Sequence, residues 1–130
     1  MAYPKNFRYT KEHEWINADG KTAAVGITDY AQSSLGDIVF VELPKPGTQV
    51  TAGNSFGTVE SVKSVSELYA PASGKVVAVN EELSKSPEKV NSDAHSAWFI
   101  KIELKDPGEL NSLLTAADYE KFVVEEQEKH

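Results

Sequence analysis

The sequence contains no cysteine and no long hydrophobic run. Without cysteine, this chain of 130 residues can form neither disulfides nor a thiolate that attacks a substrate or binds a metal. The apolar stretches are only a few residues long, so no membrane-spanning helix is predicted. Residues 1–15 lack the apolar segment of a secretory signal and the arginine- and serine-rich character of a transit peptide. These absences predict a cytoplasmic protein, and a mature mitochondrial protein would share them.

Basic residues are scarce relative to acidic ones. The 13 lysines and arginines stand against 20 aspartates and glutamates, which gives a net charge of −7 and a pI of about 4.9. This balance disfavours binding to nucleic acid or to an anionic membrane, and it favours basic protein partners. The three histidines, His13, His95 and His130, show no paired metal-ligand spacing, so we predict no metal site.

Short β-favouring runs separated by turn residues dominate the chain. Because its length suits one hydrophobic core, we interpret residues 1–130 as a single domain. A β core is predicted over about residues 7–104 and a helical segment over about residues 106–128. An opening pair of strands is predicted within residues 7–16, with a turn at residues 17–20. Further strands are predicted at residues 21–27, 38–43, 56–59, 65–69, 75–79 and 98–102.

Capping residues mark the predicted helices. Thr28 can cap a short helix that Gly36 ends. Ser86 and Pro87 are typical of the cap and first position of a further helical turn. The two last helices begin after Asp106 and after Thr115, and the chain end, residues 125–130, is predicted to fray.

Two stretches of the β core resemble each other. Residues 36–42 and 74–80 both begin with glycine and a charged residue and continue with four apolar residues, and each is followed by a turn and then a valine, Val50 or Val90. Two similar halves indicate a pseudo-two-fold sandwich or flattened barrel.

Lys63 stands at the predicted tip of a hairpin between the two halves. The flanking runs, residues 56–59 and 65–69, favour strands. The turn lacks Asn-Gly and Asp-Gly, so a type I turn is favoured. A lysine at such a tip is often only a solvated charge that protects a sheet edge from aggregation.

Residues 53–57 match the G-x-S-x-G pattern of α/β-hydrolases. Asp93 and His95 follow Ser55 in the chain order of such a triad. That mechanism needs the serine on a turn between a strand and a helix, whereas a strand-like run follows Ser55. The chain also lacks the alternating strands and helices that build a parallel sheet. A serine hydrolase using Ser55 is therefore the remote alternative.

Several longer motifs resemble the H protein of the glycine cleavage system, a family of lipoyl carriers. They follow the order and spacing of that family over nearly the whole chain. The resemblance implies a mainly β, lipoyl/biotinyl-type barrel-sandwich hybrid of antiparallel sheets, with short helices and a C-terminal helix. The matching motifs lie at residues 9–15, 25–32, 35–44, 56–63, 70–74, 106–114 and 115–122.

The resemblance also implies a function. A lipoyl group would be attached to Lys63 within an attachment motif made by Glu60, Ser61, Val62 and Ser64. The protein would be a non-catalytic, monomeric carrier that serves glycine decarboxylase, aminomethyltransferase and dihydrolipoyl dehydrogenase after a lipoyl ligase or transferase has modified it. An H-like protein that donates lipoyl groups to other enzymes is the alternative.

Three further residues are candidates for a cleft that shelters the loaded arm. By resemblance to the family, Glu14 and Glu67 could hold the ammonium of a carried aminomethyl group through charge-assisted hydrogen bonds. Ser34 stands where some family members have a histidine near the arm. The loop at residues 91–98 lacks the proline, tyrosine and glycines that are usual before Trp98.

Overall fold

Nine strands form two antiparallel sheets in residues 3–128, the part of the chain that this computed structural model describes. The strands are β1 (Arg8–Tyr9), β2 (Glu14–Asp19), β3 (Thr22–Ile27), β4 (Ile38–Glu42), β5 (Gln49–Val50), β6 (Ser55–Ser61), β7 (Val65–Tyr69), β8 (Gly74–Val79) and β9 (Ile100–Leu104). One sheet has the order β1-β2-β3-β9-β8-β5, and the other has the order β4-β6-β7. This arrangement confirms the mainly β barrel-sandwich fold expected from the resemblance.

Short helices connect the strands, and a longer helix ends the described chain. The helices are α1 (Asp29–Leu35), α2 (Glu82–Lys85), α3 (Lys89–Ser92), a 3₁₀ helix (Pro107–Ser112) and α4 (Ala116–Glu128). The predicted cap of α1 is confirmed, because the Thr28 hydroxyl accepts a hydrogen bond from the Ala31 amide at 3.2 Å. Gly36 follows α1 with a φ of 82°. The last helix continues beyond the predicted start of fraying; the final two residues of that prediction, 129 and 130, lie outside the described part.

Three predicted boundaries are wrong for local reasons. The strand expected from Trp98 begins at Ile100, because the Trp98 amide instead donates to Ser96 in a turn. The helix expected from Ser86 begins at Lys89, because Ser86 is the C-cap of α2 and residues 87 and 88 form a turn. The predicted turn at residues 17–20 is narrower, since β2 extends to Asp19 and only its end turns, with Gly20 at a φ of 68°. Helix α2 was not predicted.

The core has two parts. Aliphatic and aromatic side chains from both sheets fill the space between them, and they include Val25, Val59 and Phe99. A second cluster of aromatic residues holds α4 against β1 and β2. In it the rings of Tyr9 and Tyr119 stack with centroids 4.8 Å apart. The sandwich therefore fixes the strands, while the aromatic cluster fixes the C-terminal helix.

The predicted internal repeat is also a structural repeat. Strand β4 pairs with β6 as β8 pairs with β9, and both are antiparallel. In each pair the repeated strand has an irregularity at the same place, at Val39 in β4 and at Val77 in β8. The third strand is β7 beside β6 in one half and β3 beside β9 in the other. We call β4, β6 and β7 the tip half, and β8, β9 and β3 the opposite half.

Candidate functional site

Lys63 lies in the tight turn between β6 and β7, as predicted. The hydroxyl of Ser61 accepts hydrogen bonds from the backbone amides of Lys63 and Ser64, at 3.2 and 3.1 Å. The Ser61 amide donates to the Ser64 carbonyl at 2.8 Å, and the Val62 amide donates to the Asp37 carbonyl at 3.0 Å. Ser61 is buried whereas Lys63 is exposed. Hydrogen bonds within residues 61–64 thus hold the turn, and the lysine side chain is accessible to solvent.

The stem of Lys63 lies against Gly36. A Cβ atom added to Gly36 would be 2.9 Å from Cε of the lysine, so a side chain there would displace the stem from this position. The positive φ of Gly36 also favours a residue without a side chain. The connection between α1 and β4 therefore supports the lysine from one side.

Exposed apolar side chains surround the turn. Val39 and Phe40 of β4 are 50% and 51% exposed, and Val62 and Val65 at the turn are 67% and 65% exposed. Glu60 stands between Phe40 and Val65 in the ladder of the three strands. Two apolar residues of β4 are therefore exposed, whereas Ile38 and Val41 of the same strand are buried.

Glu14 is buried where the two sheets meet. Its carboxylate accepts hydrogen bonds from the Thr10 hydroxyl at 2.6 Å and from the Tyr69 amide at 3.2 Å. Burial raises the pKa of Glu14 to about 7, although both hydrogen bonds oppose the shift. The carboxylate borders a surface cavity of about 370 Å³, which Thr10, Tyr69 and Glu109 also line.

The two other candidates for the arm cleft do not line that cavity. Glu67 is exposed on β7, and Ser34 is exposed on α1. The structure therefore does not bring Glu14, Glu67 and Ser34 together in one pocket, and their shared role stays a prediction.

Comparison with known proteins identifies the family. The profile described as "Glycine cleavage H-protein" matches residues 7–126. The chain belongs to the glycine cleavage H-protein family. It is 71% identical to the glycine cleavage system H protein of Koribacter versatilis, over 97% of this chain and 98% of that one, and 60% identical to that of Anoxybacillus flavithermus, over 95% and 98%. The crystal structure of a glycine cleavage system H protein from Mycobacterium marinum superposes with a TM-score of 0.84 at 39% identity, covering 92% of this chain and 97% of that one.

In this member of the H-protein family, Asn91 of α3 supports the segment under Lys63. Its amide group donates to the carbonyl of Gly36 and to the side chain of Gln32, both at 2.9 Å. Its side-chain oxygen accepts from the Ile38 amide at 2.8 Å. Sequence reasoning noticed the unusual loop that starts at Asn91 but had no signal for these long-range contacts.

A second group of contacts that the sequence did not predict links α4 to α1. The Tyr119 hydroxyl lies 2.8 Å from Nδ1 of His13 and 2.7 Å from the hydroxyl of Thr28, the cap of α1. His13 has a φ of 70°, which is uncommon for a residue with a side chain. Burial lowers its pKa from the ordinary value. His13 is thus half-buried, and its contacts join the β1–β2 connection to α4 and to the cap of α1.

The residues of the remote hydrolase alternative do not form its site. Ser55 begins β6, and its hydroxyl donates to the carbonyl of Gly57 at 3.2 Å, so no turn into a helix follows it. Nε2 of His95 accepts from the Asp29 amide at 3.2 Å.

Two absences hold for residues 3–128. No group of three or more potential metal ligands is found there. In the same range no helix has the length and apolar character needed to span a membrane. His130, the third histidine, lies outside this range.

Proposed function

We propose that this protein carries a lipoyl group in amide linkage to Lys63 and serves the glycine cleavage system. It would take an aminomethyl group from glycine decarboxylase to aminomethyltransferase, and reducing equivalents to dihydrolipoyl dehydrogenase. The observation that carries the proposal is an exposed lysine at a hydrogen-bonded hairpin tip in a chain of the H-protein family.

The residues around Lys63 fit such a group. The amine is exposed, the stem rests on Gly36, and Ser61 fixes the backbone from which the arm would extend. Once attached, the lipoyl group would supply a dithiolane that accepts a carbon group and two electrons, chemistry that belongs to the cofactor. The protein's own part is to hold the root of the arm and to present it to enzymes.

Glu14, Glu67 and Ser34 remain the proposed residues of an arm cleft. Of these, Glu14 is best placed to act on a cation, because its carboxylate is buried beside an open cavity. A charge-assisted hydrogen bond to an ammonium in such a place is worth about 1.5–3 kcal/mol. An ammonium there would also favour the ionised form of Glu14 and lower its pKa.

Intact-mass spectrometry tests the attachment. The full chain is incubated with lipoate, ATP and a lipoate–protein ligase, and we expect wild type to gain one lipoyl group. Lys63→Arg should gain none, because arginine offers no amine for the amide, whereas Lys75→Arg, a change at an exposed lysine of β8, should behave as wild type. Unmodified wild type would refute the proposal.

Reconstitution separates the proposed role from that of a lipoyl donor. With glycine decarboxylase and labelled bicarbonate, the lipoylated protein should support exchange of label into glycine. A lipoylated protein that supports no exchange but passes its lipoyl group to other apo-proteins would establish the alternative.

A further inference from the structure

We infer that the exposed apolar residues around Lys63 form the docking surface for the enzyme that acylates this lysine. We call Val39, Phe40, Val62 and Val65 the tip face. The partner that it fits holds an activated lipoyl group at the end of a channel, with an apolar rim and basic side chains around the opening. This inference rests on the proposed attachment at Lys63.

The tip face is not needed to build the sandwich. In β4 and β6 the core is filled by other side chains, notably Val41 and Val59, which are nearly fully buried. Phe40 and Val65 lie on the opposite side of the three-stranded sheet, in one row with Glu60. A cluster of exposed apolar side chains that the core does not use is typical of an interaction site.

The opposite half shows that the fold works without such a surface. The row equivalent to Phe40, Glu60 and Val65 contains Ala78, Lys101 and Ala24 instead. The two alanines are smaller than Phe40 and Val65, and the lysine is long and charged. Nζ of Lys101 lies over the ring of Trp98, 4.7 Å from the centroid. The exposed apolar residues of this row are therefore a property of the half that bears Lys63, whereas the position of Val39 has an exposed valine in both halves, Val77 being its equivalent.

Charge indicates the chemistry of the partner. The three strands of the tip half contain the glutamates Glu42, Glu60 and Glu67 and no lysine, arginine or histidine. All three glutamates are exposed. Lys63 is the cation in the turn at one end of these strands, and acylation removes its charge. A partner with basic groups around an apolar rim would complement this surface.

The short length of the unmodified Lys63 side chain favours the acylating enzyme as the partner that binds the tip face. An enzyme that acts on the far end of a lipoylated arm can work at a distance from the turn. An enzyme that acylates the bare amine must bring its donor to Nζ, and the stem of Lys63 rests on Gly36 beside the tip face. That enzyme cannot reach the amine without covering the neighbouring apolar side chains.

The reaction at the amine is an acyl transfer. The neutral Lys63 amine attacks the carbonyl carbon of a lipoyl-adenylate. The new C–N bond forms, the bond from that carbon to the phosphate oxygen breaks with release of AMP, and the amine proton passes to a base of the enzyme. No oxidant or reductant is needed.

Acylation kinetics of the full, unmodified chain test the inference. Initial rates with a lipoate–protein ligase, lipoate and ATP are measured by intact mass over a range of carrier concentrations. We expect Phe40→Ser and Val65→Ser each to raise KM for the carrier by about tenfold while kcat stays within about twofold. The matched controls are Val77→Ser and Val124→Ser, at valines that are 47% and 51% exposed but distant from the tip half, and they should not change KM.

Four results have fixed meanings. If wild type is acylated on Lys63 and the tip-face variants match it, the docking inference is wrong and the proposed attachment stands. If wild type is not acylated, the attachment itself is wrong. If wild type self-associates in sedimentation, the variants are monomeric and their acylation is unchanged, the tip face binds a second copy instead. If the tip-face variants have a raised KM and the same circular dichroism spectrum as wild type, the raised KM reports weaker docking and supports the inference.

Discussion

The amides of Ile38 and Val76 occupy equivalent positions in the two repeated stretches, and each donates a hydrogen bond of 2.8 Å. Val76 donates to a backbone carbonyl, that of Thr48 next to β5. Ile38 donates to a side chain, that of Asn91. The same contrast occurs on the far side of each half. There β3 is flanked by the whole strand β2, whereas the Tyr69 amide of β7 donates to the carboxylate of Glu14.

The comparison shows why the sheet of the tip half has only three strands. In the opposite half, neighbouring strands satisfy the outer backbone groups and widen the sheet to six strands. In the tip half, the side chains of Asn91 and Glu14 bind outer backbone amides, and the sheet keeps three strands. A narrow sheet lets the turn with Lys63 project and leaves its outer face open. The cost is that its support depends on a few side chains.

The largest expected effect is a similar loss of unfolding free energy from one glycine substitution in either half. A Cβ atom added at Gly57 or at Gly74 would meet a backbone carbonyl oxygen, of Glu42 in the tip half and of Glu103 in the opposite half. Backbone cannot move aside as a side chain can, so we expect each alanine variant to lose about 3 kcal/mol of unfolding free energy or more. Urea denaturation measures it.

Gly36→Ala is the matched control for Gly74→Ala, because the two glycines are equivalent in the repeat. The added atom meets the flexible Lys63 stem, which can rotate away, so the positive φ is the main cost, about 1–2 kcal/mol. Equal losses at the two positions would contradict the different roles assigned to them.

The next effect concerns the pH dependence of stability. The pKa of Glu14 is raised by burial from its ordinary value of 4.5 to about 7, so the folded state binds more protons than the unfolded state in that window. The stability from protonated Glu14 is present below the lower value and is lost as the pH rises through the upper one. We expect a loss of roughly 3 kcal/mol between about pH 4 and pH 8, from 1.36 kcal/mol per pKa unit.

Glu14→Gln should remove this dependence, since glutamine does not ionise. Thermal unfolding of wild type and variant across the pH window measures the difference. Glu12 and Glu109 line the same cavity and are present in both proteins, so the subtraction isolates Glu14. Parallel curves would show that the carboxylate is solvated.

Asn91→Ala sharpens the comparison at the other side of the tip half. It removes the partners of Ile38, Gly36 and Gln32, and we expect a loss of about 2 kcal/mol. Hydrogen exchange of the Ile38 amide should become faster while that of Val76 is unchanged. Asn111→Ala, at an exposed position in the 3₁₀ helix, is the control. Equal protection of the Ile38 amide in wild type and variant would mean that Asn91 is dispensable.

The smallest effect is electrostatic. Glu60 of the tip half and Lys101 of the opposite half are equivalent but opposite in charge. We expect kcat/KM for acylation of Lys63 to fall as ionic strength rises, because salt screens exposed charges. Glu60→Gln should lower kcat/KM by roughly threefold at low salt, since an exposed pair contributes up to about 1 kcal/mol. Kinetics that do not respond to salt would count against basic groups in the partner.

Local signals in the sequence predicted the parts of the site that depend on neighbouring residues. The cap at Thr28, the stop at Gly36 and the turn at Lys63 are set within a few residues. The contacts of Asn91 with Ile38 and of Glu14 with Tyr69 join residues more than fifty positions apart. No periodicity encodes such contacts.

The exposure of Phe40 was missed for a different reason. An apolar residue in a strand looks the same in the sequence whether it faces the core or a partner. Only the register of β4 with β6, and the irregularity at Val39 that shifts it, shows on which side Phe40 lies.

The irregularities at Val39 and Val77 also bear on the ancestry of the chain. At each irregularity the strand advances by two residues while its partner advances by one, so one residue of the strand has no partner, as after a one-residue insertion. Two independent insertions at the same place in two half-length units would be a coincidence. One insertion in an ancestral unit, followed by duplication and fusion of that unit, would produce both, and the turn with Lys63 would then lie where the two copies join.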